Sequence, residues 1–361
     1  MNSHPEFEPA QAPPPPPSPT MPFSCIFALP FLVIFLLMST SSVQSFRVQA
    51  SEVQASGQDN VVLYAHSEHT PIHKQNGLYF LQFGIHAPNT TIMFIINGNN
   101  TIQTDLATAQ LTNDNLHILQ RENTCFDMGA WSAGLAALSD RAIHTPTTPS
   151  STVYFFINAS VRGPLIPRHL MAEGALAWPG YFSKHLSSTT KLVGTTFNPW
   201  AGPTTWHLQS MMLVTDAVGL LDVMSSYLNH DPATCHSEYD SAVFAGEIPL
   251  SQSFLNKGYG LYALSVLMEG AVVSRENAAQ VTATCKRWQP QTVDQLGDPY
   301  STHSMMLLDP YDLIFFKMNR KHEAVGYMHV VSLGMMRDQE LMDEIEGCVA
   351  KLQAEVEVGV K

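Results

Sequence analysis

Charge is the first thing this sequence has little of. Only 14% of its 361 residues are charged, where an average soluble domain carries about 25%. Lys and Arg number 18 against 31 Asp and Glu, giving a net charge of −13. So acidic a chain lacks the clustered cations of a phosphate-backbone binder, which argues against nucleic acid as a partner. Scarce Glu and Lys also exclude a coiled-coil rod. Five cysteines without a CxxC pair exclude a zinc ribbon and a disulfide-dense miniprotein. No GxSxG elbow, GxxxxGKS/T loop or GxGxxG turn occurs, so serine-hydrolase, P-loop and dinucleotide sites have no anchor. What is abundant is apolar surface. At 45% hydrophobic residues the chain is no disordered polymer, and its length suffices to bury a sizeable core.

The N-terminus reads as three pieces. Residues 1–21 carry the run Pro13 to Pro17, which favours an extended polyproline helix, and are read as a disordered tail. Residues 22–38, PFSCIFALPFLVIFLLM, are uncharged and at the short limit for spanning a bilayer. They suit a signal anchor; the competing readings are a cleaved signal peptide starting at Met21 and a buried core helix. Residues 39–58 are small and polar, a stem. The anchor reading predicts a single-pass protein of the Golgi or endoplasmic reticulum membrane with a luminal body, and cleavage predicts a secreted one. In that oxidising space Cys235 and Cys285 are the expected disulfide, although spacing does not fix connectivity. Possible glycosylation sequons begin at Asn89, Asn99 and Asn158.

From residue 59 the texture changes. NVVLYAH, TTIMFIING, LHILQREN and TVYFFIN are short apolar runs rich in β-branched or aromatic residues, each read as a buried strand. MGAWSAGLAALSDRAI between the last two has helical spacing. Strands alternating with helices predict an α/β fold with a mainly parallel sheet flanked by helices. Ligands of such sheets bind beyond the carboxyl ends of the strands. That rule selects the polar residues after each strand: His66, Ser67 and Glu68; Asn97 and Asn99; Arg121, Asn123 and Asp127; Asn158, Ser160 and Arg162. A second region, from about Arg162, contains KLVGTTF, then WHLQSMMLVTDAVGLLDVMSSYL, read as an approach to an amphipathic helix, and FAGEIPLSQSFLNKGYGLYALSVLM, read as another. The body is expected to run over 59–335, followed by an acidic helix over 336–361.

Two constellations carry chemistry. In Arg121 to Trp131 a strand end leads through Asp127 into small residues opening a helix. This setting suits a sugar or nucleotide hydroxyl, and equally a helix N-cap at Asp127. In Tyr154 to Pro164 the strand delivers Asn158 and Ser160 two residues apart. A sugar transferase commonly places two carboxylates there on a divalent metal. Amide and hydroxyl groups hold Mn²⁺ or Mg²⁺ far less well, so metal dependence is in question and Arg162 is the alternative source of positive charge. Asn158 bonding its own backbone in a turn is the plainer reading. His66, His69 and His73 invite a metal, but Pro71 interrupts them.

The segments ENTCFDMGAW, FFINASVRGP, KLVGTTFN, HLQSMMLVTD, AGEIPLSQSFLNKGY and LDPYDLIFFKMNR, in this order from about Asn60 to Arg320, resemble a family of glycosyltransferases found in algae, plants, fungi and bacteria. That family is related to rhamnan synthesis protein F. The resemblance implies a GT-A-type fold and a nucleotide-sugar donor. Arg121, Asn123, Asp127 and Gly129 match the donor-side motif, and Asn158, Ser160, Arg162 and Gly163 the segment of the metal-binding pair. His207, Gln209, Ser210 and Asp216 match the central motif, Glu247 and Ser251 the acidic-helix motif, and Lys317, Asn319 and Arg320 the closing one. Ala159 stands where members often carry a second polar residue.

The expected function is transfer of a sugar from a nucleotide sugar to a glycan or glycoprotein acceptor. Glu247 is the expected general base, with Asp216 second. Two alternatives remain: a metal-dependent glycan hydrolase using the AHSEHTPIH histidines with Asp127, and a non-catalytic glycan-binding descendant of a transferase.

Overall fold

The computed structural model describes residues 59–147, 151–166, 178–199, 202–228, 235, 238–268, 270–288, 300 and 308–319. The tail, the candidate anchor, the stem, Arg320 and the acidic C-terminal helix lie outside them. Among the described residues no helix is long and apolar enough to cross a membrane.

The four apolar runs of the first half are strands β1 (Asn60–His66), β2 (Thr90–Asn97), β3 (Leu116–Arg121) and β4 (Val153–Asn158). The remaining strands are β5 (Val161–Arg162), β6 (Thr190–Gly194), β7 (Phe197–Asn198), β8 (His207–Leu208), β9 (Met212–Asp216), β10 (Gly260–Ala263), β11 (Val272–Val273) and β12 (Phe316–Lys317). Eight of them form one sheet in the order β11-β10-β6-β9-β4-β1-β2-β3. Pairings from β4 through β1 and β2 to β3 are parallel, as is β10 on β6. β9 runs antiparallel to both β4 and β6, and β11 to β10. The expected mainly parallel sheet flanked by helices is present. Two small antiparallel pairs, β5 with β12 and β7 with β8, stand outside it.

Helices cover both faces of the parallel half, which is why its strands read as unbroken apolar runs. On one face, Phe80 of α1 (Pro71–Phe83) stacks on Tyr64 at 4.4 Å. Trp178, Phe155 and Phe315 extend that aromatic layer. α2 (Gln103–Thr112) connects β2 to β3. On the other face, α3 (Phe126–Asp140) presses Gly134 against Leu63 and Ile95, where a Cβ would lie 2.6 Å from each. Leu63 and Tyr64 are neighbours on one strand and so point to opposite faces. Pro71 occupies the first turn of α1, where its missing N–H costs nothing.

The second half departs from the expectation in two places. WHLQSMMLVTD forms β8 and β9 before a helical turn begins at Ala217. The long FAGEIPLSQSFLNKGYGLYA stretch is a helix α4 (Ile248–Asn256) and then a strand, β10. Gly258, at φ 83°, ends the helix, a left-handed position glycine occupies without steric cost. The disulfide also differs. Cys125 pairs with Cys235, at a Cα separation of 5.2 Å. Cys285 is a free buried thiol on the inner face of α5 (Ala278–Trp288), and burial pushes its pKa up to about 12.

Candidate functional site

A cleft of about 540 Å³ opens beyond the carboxyl ends of β1, β2 and β4. Ser67, Asn97, Asn123, Asp127, Asn158 and Ser160 line one wall. Asn198, His207, Gln209, Ser210 and Glu247 line the other, while Lys317 and Asn319 line the cleft beside Ser160. The volume is that of an ordinary small-molecule site.

On the first wall, Asn158 ends β4 and donates its amide N–H to Asp127 Oδ2 at 2.6 Å. Its Oδ1 accepts from the Ser160 backbone N–H at 3.0 Å and from Ser160 Oγ at 2.5 Å. Asn158 therefore both makes the turn after its strand and reaches the candidate donor residue. Asp127 sits in the first turn of α3; the N-cap position is Cys125. Burial, and after it the nearby Glu247 charge, push Asp127 up to about 6, while the Asn158 bond and Lys317 pull against the rise. His69 and His73 also line this side.

The second wall is held by α4. Glu247, the residue before it, accepts the Ser210 backbone N–H on Oε1 at 2.6 Å. Ser251 Oγ accepts the Leu208 N–H at 3.1 Å, and the Gln252 side chain donates to the Trp206 carbonyl at 2.6 Å. These three bonds fix the carboxylate against β8 and the loop that follows it. Oε1 of Glu247 is thereby occupied, and Oε2 has no hydrogen-bond partner among the described residues. His207 is cross-strand partner to Asn198, and its Nδ1 donates to the Thr205 carbonyl at 2.8 Å. That fixes the tautomer and leaves the second ring nitrogen as an acceptor. Lys317 is opposite Val161 in the β5–β12 pair, next to the Asn158–Ser160 turn.

Several expected site residues lie elsewhere. Arg162 is 3% exposed and turned into the core, its Nε donating to Asn76 Oδ1 at 3.0 Å and Nη2 to Gln75 Oε1 at 3.2 Å. It locks α1 to the strand end and is no cleft cation. Arg121 clamps strand ends, donating to Asn97 Oδ1 at 2.6 Å and to the Thr124 carbonyl at 3.1 Å. Gly129 and Gly163 are packing positions: a Cβ would meet Cys125 Cβ at 2.3 Å and the Ile314 carbonyl at 2.5 Å respectively. Ser251 supports β8 from behind. Asp216, the second candidate base, pairs with Lys191 at 2.5 Å and caps the next helical turn through Gly219 N–H at 2.8 Å. It stands beside Val153, at the start of β4. Asn158 ends that strand five residues on, about 16 Å away. The antiparallel direction of β9 takes Asp216 to the wrong end of the sheet. His66 is fully buried, with its ring over Gly77 and Nε2 3.4 Å from Glu68, whereas His69 and His73 line the cleft.

A divalent metal does not fit the Asn158–Ser160 position. The Asn158 oxygen that would ligate it already accepts two hydrogen bonds, and the amide nitrogen faces Asp127. Among the described residues no group of three His, Cys, Asp or Glu side chains is placed to hold a metal ion. The histidines expected to do so are divided between the core and the cleft.

Sequence reasoning missed Asn198, Tyr239, Asp240, Val243 and Phe244, which also line the cleft. The last four share a stripe with Glu247, but the π-helical turn over Ala242–Glu247 departs from the 3.6-residue period by which a sequence would show it.

No family model matches the chain, and no curated protein matches it. Among solved structures it is similar to mannosyltransferase PcManGT from Pyrobaculum calidifontis in complex with GDP-Man and Mn²⁺, at 10% identity over 56% of this chain, with TM-score 0.34. The chain spans 54% of that mannosyltransferase. It is also similar to S. aureus TarS 1–349, at 8% identity over 70% of each chain and TM-score 0.34. The PaToxG glycosyltransferase matches at 7% identity, covering 65% of this chain and 75% of that one, with TM-score 0.28. Likenesses this slight carry no argument about chemistry, which rests on the cleft itself.

Proposed function

We propose that this chain is a GT-A-type glycosyltransferase, moving a sugar from a nucleotide-sugar donor to a glycan or glycoprotein acceptor. One observation carries the reading: Asp127, Asn158 and Glu247, far apart in sequence, line one cleft beyond the carboxyl ends of the parallel strands. Donor hydroxyls bind to Asp127, held in place by Asn158, with Asn97 and Asn123 beside it. Lys317, the one Lys or Arg lining the cleft among the described residues, offsets donor phosphate charge. No step is assigned to a metal. Glu247 takes the proton of the acceptor hydroxyl on its second carboxylate oxygen, the acceptor oxygen forms the bond to the anomeric carbon, and the bond from that carbon to the nucleoside diphosphate breaks. The anchor reading of residues 22–38 would place this reaction in the Golgi or endoplasmic reticulum lumen.

A second reading, a glycan-binding descendant without turnover, is favoured by the self-satisfied Asn158–Ser160 turn in place of a carboxylate pair. A thermal-shift screen of the full chain against nucleotide diphosphates and their sugars, with and without Mn²⁺, separates the two. A ligand at about 100 times its dissociation constant adds roughly 2.7 kcal/mol of stability. Stabilisation by a nucleotide and its release from a nucleotide sugar support transfer. Sugar retention with no nucleotide effect supports the binding protein. Glycan cleavage without nucleotide moves the chain to the hydrolases.

A further inference from the structure

The aromatic side chains of this protein are mostly core: Trp131, Trp178, Tyr64, Phe80, Phe94 and Phe155 are all at most 1% exposed. Three large aromatic rings stand out as exposed among the described residues: Tyr239 at 65%, Phe244 at 52% and Phe126 at 39%. All three line the same cleft. Exposed apolar side chains scattered singly need no explanation, but convergence on one concave site marks a binding surface.

Two further features concern how the rings are presented. Tyr239, Asp240, Val243, Phe244 and Glu247 all line the cleft, a single stripe along a short helix (Tyr239–Ser241) and the π-helical turn that follows it (Ala242–Glu247). π-helical turns cost hydrogen-bond geometry and recur at functional sites. Across the cleft, Phe126 is held at φ 49° directly after Cys125 at φ 63°, two consecutive left-handed residues that are not glycine. Such backbone is sparsely populated by residues other than glycine. Here it keeps a phenyl ring out of the core, on a residue adjoining the disulfide.

We propose that Tyr239, Phe244 and Phe126 form the docking platform for a neutral pyranose ring of the acceptor glycan, set beside Glu247. The proposal rests on the reading of the cleft as a sugar-transfer site and names the acceptor class. A pyranose has a face of C–H bonds and a rim of hydroxyls. The C–H face buries apolar area on aromatic rings, and the rim needs hydrogen-bond acceptors, which Asp240 and Glu247 supply on the same stripe. Those carboxylates repel an anionic sugar, so the platform selects neutral rings over uronic acids. A nucleobase also stacks on aromatic rings, and the test is built to detect it.

The experiment is saturation-transfer NMR on the full chain with methyl glycosides of glucose, galactose and mannose, and with methyl glucuronide. UDP and GDP are run in parallel by thermal shift. At least one neutral glycoside should receive saturation at its ring C–H protons, and the glucuronide should bind more weakly. Tyr239→Ala and Phe244→Ala should each weaken neutral-glycoside binding about threefold to tenfold, the range for loss of one aromatic contact. Tyr239→Phe should retain it, because the ring and not the hydroxyl is needed. The melting temperature of each variant checks its fold, and Tyr239→Phe separates loss of the ring from loss of structure. No saturation of any neutral glycoside, equal binding of the glucuronide, or unchanged binding in the Tyr239→Ala/Phe244→Ala double variant would overturn the proposal. So would a loss of UDP or GDP binding with glycoside binding intact, which makes the rings a base platform. If neither nucleotide shifts the wild-type protein while the glycosides behave as stated, the donor reading fails and the platform stands.

Discussion

On the cleft wall formed by residues 59–166, polar side chains are engaged with one another before any ligand arrives. Arg121 holds Asn97, Asn158 holds Asp127, and Ser160 holds Asn158. On the wall formed by residues 198–247, two polar side chains, Glu247 and His207, are each anchored through a single atom among the described residues. Glu247 has one oxygen on Ser210 N–H, His207 has one nitrogen on the Thr205 carbonyl, and the exposed rings of Tyr239 and Phe244 rise beside them. A wall already satisfied can position a ligand without reorganising. A wall with open atoms can exchange protons and take different partners. Under the proposed function, this difference would give recognition of the donor to the first wall and chemistry on the acceptor to the second.

The most damaging challenge to that division is Glu247→Gln. The amide oxygen keeps the Ser210 bond, so fold and nucleotide binding should persist. Turnover of a nucleotide sugar should fall on the order of 10²–10⁴-fold, the usual cost of losing a general base. Full activity in steady-state assays would remove the base from the second wall. Next in size is Arg162→Leu. Its guanidinium is buried against Asn76 and Gln75 and near the Tyr64 and Tyr79 rings. Removing it leaves buried acceptors unsatisfied, at about 2–4 kcal/mol in chemical denaturation. Nucleotide affinity per folded molecule should be unchanged, because Arg162 does not face the cleft. A selective loss of nucleotide binding in a fully stable variant would return Arg162 to the donor site.

How much of this was readable beforehand depends on strand direction. Strands β1 to β4 announced themselves because a parallel sheet buried on both faces leaves continuous apolar runs. Asp127 and Asn158 then followed from the strand-end rule. Asp216 was misplaced because nothing in MLVTD tells that β9 runs against its neighbours, which puts its end at the far edge of the sheet. Arg162 was misplaced because the turn at Ala159–Ser160 breaks the period-two alternation that would have kept it beside Ser160. β10 hid behind α4 since both are apolar, with Gly258 the only punctuation. Glu247 was reached through the family resemblance. Tyr239, Asp240 and Phe244 belong to no such motif, and the π-helical turn blurs the 3.6-residue period that would have shown their stripe.

Asp127→Asn tests the first wall with a pH-dependent sign. Burial raises the folded-state pKa of Asp127 to about 6, above its ordinary value of 3.8. Folding therefore favours the protonated form. The carboxyl is no burden below its unfolded pKa and becomes a growing one as pH rises from about 4 to 6. Replacing it should stabilise the protein by on the order of 1–3 kcal/mol at pH 8, with the gain shrinking toward pH 4. Nucleotide-sugar binding should weaken at the same time, since a charged acceptor for hydroxyls is lost. Thermal melts at pH 4, 6 and 8 read the first effect and ligand-induced shifts at pH 8 the second. A variant destabilised at pH 8 would show that the ionised carboxylate supports the fold, against the geometry described.

The smallest effect belongs to Ser160→Ala, and it separates positioning from chemistry most finely. The substitution removes the 2.5 Å hydroxyl bond to Asn158 Oδ1 but leaves the Ser160 backbone N–H on the same oxygen at 3.0 Å. Asn158 still reaches Asp127 at 2.6 Å through its other side-chain atom. The turn should survive, and the loss should be that of one hydrogen bond, about 0.5–1.5 kcal/mol in thermal unfolding. If Ser160 only buttresses Asn158, kcat should change little and KM for the donor should rise modestly, because the bond acts through the position of Asp127. A fall in kcat as deep as that of Glu247→Gln would place a reacting group on the first wall. Such a result would mean that the hydroxyl leaves Asn158 for the substrate during turnover, and the contrast between a closed wall and an open one would not describe the working enzyme.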